Sequence, residues 1–123
     1  MSMTEVLFDI TVDATGDSVD TSTREVFGWL EKFVYAKDDF ANGVDLVLSM
    51  QDTPSGVAET IVTYTNINAS TVNYPVVDRV DTAGSAETAQ PTRHFLVGKP
   101  RIVTDEGGVS TSGKVILYIE NAE

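Results

Sequence analysis

The chain reads as all-β: a single-domain antiparallel β-sandwich over residues 1–123, of jelly-roll or immunoglobulin-like type, with about seven or eight strands. Three observations predict this. Apolar side chains recur with period two through most of the chain, the spacing that puts them on one face of a strand. Clusters of Gly, Pro, Asn, Asp and Ser interrupt these segments at the short intervals of a sandwich or small barrel. Finally, Glu106 to Glu120 runs from a Gly-Gly turn through a Ser/Thr/Gly stretch into an alternating apolar strand.

The first strand is expected over Glu5 to Asp13, where Val6, Phe8, Ile10 and Val12 share a face. Ala14 to Ser18 is a turn by composition. Thr23 to Lys37 admits two readings. Val26, Trp29, Leu30 and Phe33 fit helical spacing; Phe27, Trp29, Phe33 and Tyr35 fit one face of a strand interrupted at Glu31. Gly28 and the aromatic and β-branched content favour the strand. Asp38 to Gly43 contains Asn-Gly, a tight-turn signal, and Val44 to Met50 alternates after it. Asp52 to Gly56 turns, Thr60 to Thr65 is a short β-branched strand, and Asn66 to Thr71 is polar. Val72 to Val80 is a strand interrupted at Pro75, which demotes it to an edge or a bulge. Thr82 to Pro91, small and polar, reads as a long loop. Phe95 to Val97 and Arg101 to Thr104 are short strands around Gly98 and Pro100. Asp105 to Gly108 turns into the last strand, Lys114 to Glu120.

Composition excludes several activities. Without cysteine there are no disulfides, thiolate zinc sites or cysteine nucleophiles. Nineteen acidic residues against eight basic ones leave a net charge of −11. That argues against nucleic acid, which needs a cationic surface, and against anionic membranes. No apolar run approaches the ~18 residues that span a bilayer. Residues 1–4 have no basic start and no signal-length apolar stretch, so synthesis in the cytoplasm is expected. The acidity has two explanations: solubility, or a saline habitat in which dense carboxylates keep a surface hydrated.

Motif tests return little chemistry. Asp13, Asp17 and Asp20 are a candidate oxygen-ligand cluster for a hard cation, but Ser18 and Arg24 occupy the glycine and glutamate positions of an EF-hand loop. No phosphate-loop or dinucleotide glycine pattern and no nucleophile elbow is present, so no cofactor is implied. Asn68-Ala69-Ser70 is a formal glycosylation triplet. Trp29, Phe27, Phe33 and Tyr35 suit a carbohydrate-stacking platform, although core packing explains them better. Arg93, His94, Lys99 and Arg101 form the one cationic stretch and are the candidate subunit-contact patch.

Five segments in order carry a resemblance to a family: Phe8-Asp9-Ile10-Thr11-Val12-Asp13-Ala14-Thr15-Gly16-Asp17; Asn42-Gly43-Val44-Asp45-Leu46-Val47-Leu48 followed by Asp52-Thr53-Pro54-Ser55-Gly56; Tyr74-Pro75-Val76-Val77-Asp78; Asp81-Thr82-Ala83-Gly84; and Gly107-Gly108 with Ser112-Gly113-Lys114-Val115-Ile116-Leu117-Tyr118-Ile119-Glu120. Together they resemble small virion structural proteins of tailed viruses of bacteria and archaea. The resemblance implies a non-enzymatic β-sandwich present in many copies in the virion. Its expected place is the head-to-tail neck, against portal, adaptor or tail-terminator proteins, with capsid decoration on the major capsid protein as the alternative. It carries over no catalytic residues. This chain departs from the pattern in its acidity and in the basic stretch Phe95 to Arg101; a virus of a halophilic archaeon would account for the acidity. A carbohydrate-binding module using Trp29 is the reading outside the virion.

Overall fold

A computed structural model describes every residue except Met1, Asp81, Thr82, Gly84, Ser85 and Glu123. The described residues form ten strands and no helix, hence none long and apolar enough to cross a membrane. In chain order they are β1 (Met3–Thr11), β2 (Ser18–Thr21), β3 (Val26–Ala36), β4 (Val44–Gln51), β5 (Glu59–Ile67), β6 (Thr71–Asn73), β7 (Val76–Val80), β8 (Ala86–Arg93), β9 (Phe95–Asp105) and β10 (Ser112–Asn121).

Every pairing is antiparallel, and the pairings define two layers. One runs β1-β10-β3-β6 and the other β2-β9-β4-β5. Up to β4 the chain alternates between the layers, and after the β4–β5 hairpin it crosses back to β6. That order is a jelly roll, which separates the two fold types the sequence leaves open. β7 and β8 form a separate two-stranded ribbon inserted between β6 and β9.

The layers join at one corner because β9 serves both. Its first residues, Phe95 to Gly98, pair with Trp29 to Val26 of β3; from Lys99 onward it pairs with β4. Gly98 makes the bend with φ +115°, and a Cβ there would lie 2.4 Å from the carbonyl oxygen of Gln51. Strands that change sheets bend at such corners. The two short strands expected around Gly98 and Pro100 are therefore one continuous strand.

The core lies between the layers. Val6, Phe8 and Ile10 of β1 and Val115, Leu117 and Ile119 of β10 meet Leu46, Leu48 and Met50 of β4 and Ile102 of β9. Each such side chain taken fully out of water contributes about 1.5–3 kcal/mol, so these facing rows dominate the stability. Their alternation is the period-two pattern of the sequence.

Three expectations need correction. Ser18, read as the end of a turn, opens the short edge strand β2, in a segment where no strand is expected from the sequence. Ala86 to Pro91, read as loop, lies in β8, while Thr82, Gly84 and Ser85 of that loop lie outside the described residues. The third concerns β3, which is a strand as favoured but with a different face pattern. The register shifts so that Tyr118 faces Lys32 while Ile119 faces Leu30, leaving Glu31 as an extra residue. This bulge turns Val26, Leu30, Phe33 and Tyr35 inward and puts Phe27 and Trp29 on the outer face. Phe33 and Tyr35 are core residues; Phe27 and Trp29 are not.

Candidate assembly surface

The outer face of the β1-β10-β3-β6 sheet is apolar along its centre. Leu7 lies opposite Ile116, Ile116 opposite Val34, and Val34 opposite Val72. Residues directly opposite share a face, so these four aliphatic side chains form one row across four strands. Leu7 is 51% exposed and Val72 54%; Ile116 and Val34 are half-buried. A shallow depression of about 260 Å³ opens beside Val34, Ala36 and Val72.

Aromatic rings stand toward the β9 corner of the same sheet. Phe95 meets Phe27 edge-to-face at 5.1 Å and Trp29 at 5.0 Å between centroids. Phe27 is 56% exposed. Contiguous exposed apolar surface of this kind marks an interaction site more often than a free surface does.

Charge is handled locally around these side chains. Nη1 of Arg93 lies 2.8 Å from Oε2 of Glu31 and 2.8 Å from Oε1 of Glu120, and the guanidinium stands 5.5 Å from the Trp29 ring centre. Hydrogen bonds to Glu120 and Glu31 hold the Arg93 pKa above its ordinary value. Lys32 stands over the Tyr118 ring at 4.5 Å.

The basic stretch is divided by the fold. Arg93 belongs to the site just described. His94 uses its backbone carbonyl to accept from the Leu30 amide at 2.9 Å, and burial lowers its imidazole pKa. Lys99 reaches Asp52 at 3.4 Å, and Arg101 donates through Nε to Thr21 Oγ1 at 2.9 Å. Four neighbours in sequence thus have four different environments. The signal for the aromatic face was present at Glu31, where the period-two count broke.

The Asp-rich turn is held by its own hydrogen bonds. Oδ1 of Asp13 accepts from the Thr15 amide at 2.9 Å, the Thr15 hydroxyl at 2.7 Å and the Asp17 amide at 3.0 Å. These bonds, the Thr15 hydroxyl first, lower the Asp13 pKa. Asp20 accepts from the Ser18 hydroxyl on β2. Among the described residues no group of three or more His, Asp or Glu is placed to hold a metal ion. Asp17 instead meets Asp105, and Asp45 meets Glu106; the Asp17 contact raises Asp105 and the Asp45 contact raises Glu106. In the glycosylation triplet, Asn68 Oδ1 accepts from the Gly43 amide at 2.8 Å and Ser70 Oγ from the Lys37 amide at 2.9 Å, so both side chains brace turns.

No family model matches the chain, and no curated protein does. A solved structure of infectious bursal disease virus, Gx strain, aligns over 94% of this chain and 32% of that one, at 16% identity and a TM-score of 0.28. The chain therefore spans about a third of that chain's length, and the likeness is too low to bear on fold or function.

Proposed function

We propose that this chain is a structural subunit of a virus particle that works by contact and not by catalysis, joining copies of itself to other virion proteins. The observation that carries the reading is the apolar row Leu7, Ile116, Val34 and Val72 on the open face of a sheet in a chain of net charge −11. A solvated monomer has no use for such a row, and assembly covers it. β1 and β5, the longer of the edge strands, offer further main-chain contacts. The jelly roll is a recurrent fold of capsid proteins, which is an analogy at the level of fold.

Within the virion, the sequence resemblance favours the head-to-tail neck of a tailed virus, with the capsid surface as the alternative. Negative-stain imaging of virions carrying a labelled copy separates the two. Label at the head–tail junction supports the neck, label over the shell supports decoration, and label absent from purified particles overturns both.

The outward turn of Trp29 and Phe27 favours one further reading, a carbohydrate site at the Phe27, Trp29 and Phe95 rings. Titration with glycans tests it. Affinity unchanged by Trp29→Ala disposes of it.

A further inference from the structure

We propose that the outer face of the β1-β10-β3-β6 sheet is the surface on which two copies of this chain pack, related by a two-fold axis running along the strands; the inference rests on the self-assembly reading above and names its surface.

The charge on this face suits a second copy as the occupant. The carboxylates Glu5, Asp9, Glu31 and Glu120 are nearly balanced there by Lys32, Arg93 and Lys114, whereas the whole chain is at −11. Two copies brought together through the turns that carry Asp13, Asp17, Asp38, Asp39 and Glu106 would oppose acid to acid. This face, like the outer face of the other sheet with Lys99 and Arg101 against Asp45 and Asp105, opposes little net charge.

The arrangement of the charges is also self-complementary. On either side of the aliphatic row lies a row that is acidic at the β1 margin and basic further in. Glu5 is followed by Tyr118 and Lys32, and Asp9 is followed by Lys114. A two-fold axis along the strands reverses the order across the sheet and keeps the order along it. With that axis over β10, Glu5 of one copy lies over Lys32 of the other and Leu7 over Val34, while Ile116 meets Ile116 and Lys114, flanked by Asp9, meets Lys114. Such an isologous contact needs no second protein.

Size and direction agree with this. Three strands about 30 Å long and the three-residue β6, about 4.8 Å apart, present on the order of 500 Å² in projection per copy, at the small end of specific interfaces. An axis along the strands also points both copies the same way. The pair keeps two distinct ends, as a junction between head and tail requires.

Sedimentation equilibrium of the purified full chain tests the proposal, with circular dichroism confirming the fold of each variant. Ile116→Lys puts an unpaired charge at the centre of the contact and is expected to weaken dimerisation at least about a hundredfold. Glu5→Lys and Lys32→Glu should each weaken it by about threefold, and the double swap should recover most of the loss. Val47→Lys, on the outer face of the other sheet, should leave it unchanged. If the chain self-associates and Ile116→Lys does so equally, the surface is wrong while self-assembly stands. If the unaltered chain stays monomeric at millimolar concentration, self-association itself fails. If it is monomeric yet Ile116→Lys no longer enters virions, the face belongs to a different protein and the two-fold pair is overturned.

Discussion

Leu7 on β1 stands directly across from Ile116 on β10, and both point away from the core whose walls are Phe8 and Val115, the next pair along the same ladder. One step along two strands separates the interior of this protein from an apolar row on its surface. The pairing puts apolar side chains on both faces of this sheet, the inner ones buried and Leu7 half exposed on the outer one.

Tyr35 predicts a stabilising substitution. Its hydroxyl is buried without a hydrogen-bond partner, on a ring stacked against Phe40. Burial, with Asp38 adding to it, pushes the Tyr35 pKa from 10.0 to about 12. Because the folded value is the higher one, full stability is present below the unfolded value near 10 and is lost as pH rises from there through 12. Tyr35→Phe should raise stability by about 1 kcal/mol in urea unfolding at neutral pH and flatten the alkaline limb. A destabilised variant would mean that the hydroxyl has a partner in solution.

Gly28 should not tolerate a side chain. A Cβ there would stand 2.2 Å from the carbonyl oxygen of Glu120, where β3 runs against β10. Gly28→Ala has to push the two strands apart, and a loss of about 3 kcal/mol or more is expected in chemical denaturation. Stability within 0.5 kcal/mol of the parent, the level of an ordinary surface change, would contradict the close approach.

The ion pairs of Arg93 should contribute far less. Its side chain is 37% exposed and that of Glu31 42%, so solvent screens the contact even at 2.8 Å. Arg93→Met keeps the packing on Trp29 and should cost no more than about 1 kcal/mol in thermal unfolding. A much larger loss would show the guanidinium to be a structural support of the sheet.

The acidic end of the sandwich sets a pH dependence with a definite sign. Asp105 and Glu106 are raised above their ordinary 3.8 and 4.5 by Asp17 and Asp45. Raised carboxyl values mean a contribution that is complete below those ordinary values and lost as pH climbs past the folded ones, so the cluster destabilises at neutral pH. Asp13 works oppositely: its lowered value contributes above 3.8 and is lost as pH falls through the folded value. Asp45→Asn retains an oxygen for the Asn66 amide, now bonded at 2.8 Å. It should raise the melting temperature at pH 7 and leave it unchanged at pH 3. An equal rise at both values would show that charge is not the cause.

Much of this was legible in the sequence, and the failures share a cause. β1, β4 and β10 alternate without interruption, so Val6, Leu46 and Leu117 could be placed inward by counting alone. The count failed where backbone geometry inserts or redirects a residue. Glu31 adds one residue to β3 and reverses Phe27 and Trp29; Gly98 bends β9, so Lys99 beyond the bend reaches Asp52 while Arg93, on β8 before it, reaches Glu31 and Glu120. β2 was missed because Ser18–Thr21 has a single apolar residue, Val19, and owes its pairing to β9. The outer aliphatic row was invisible because its members are dispersed in sequence and meet only through register.

The central claim is that apolar contact drives self-assembly of this chain against the repulsion of its net charge of −11. Its most direct test is the mass measured by static light scattering as salt is raised from millimolar to molar, where the screening length falls to about 3 Å. The account predicts a mass that grows with salt from the 13.3 kDa of one chain to multiples of it. A mass fixed at one chain throughout, or assemblies that fall apart at high salt, would contradict it.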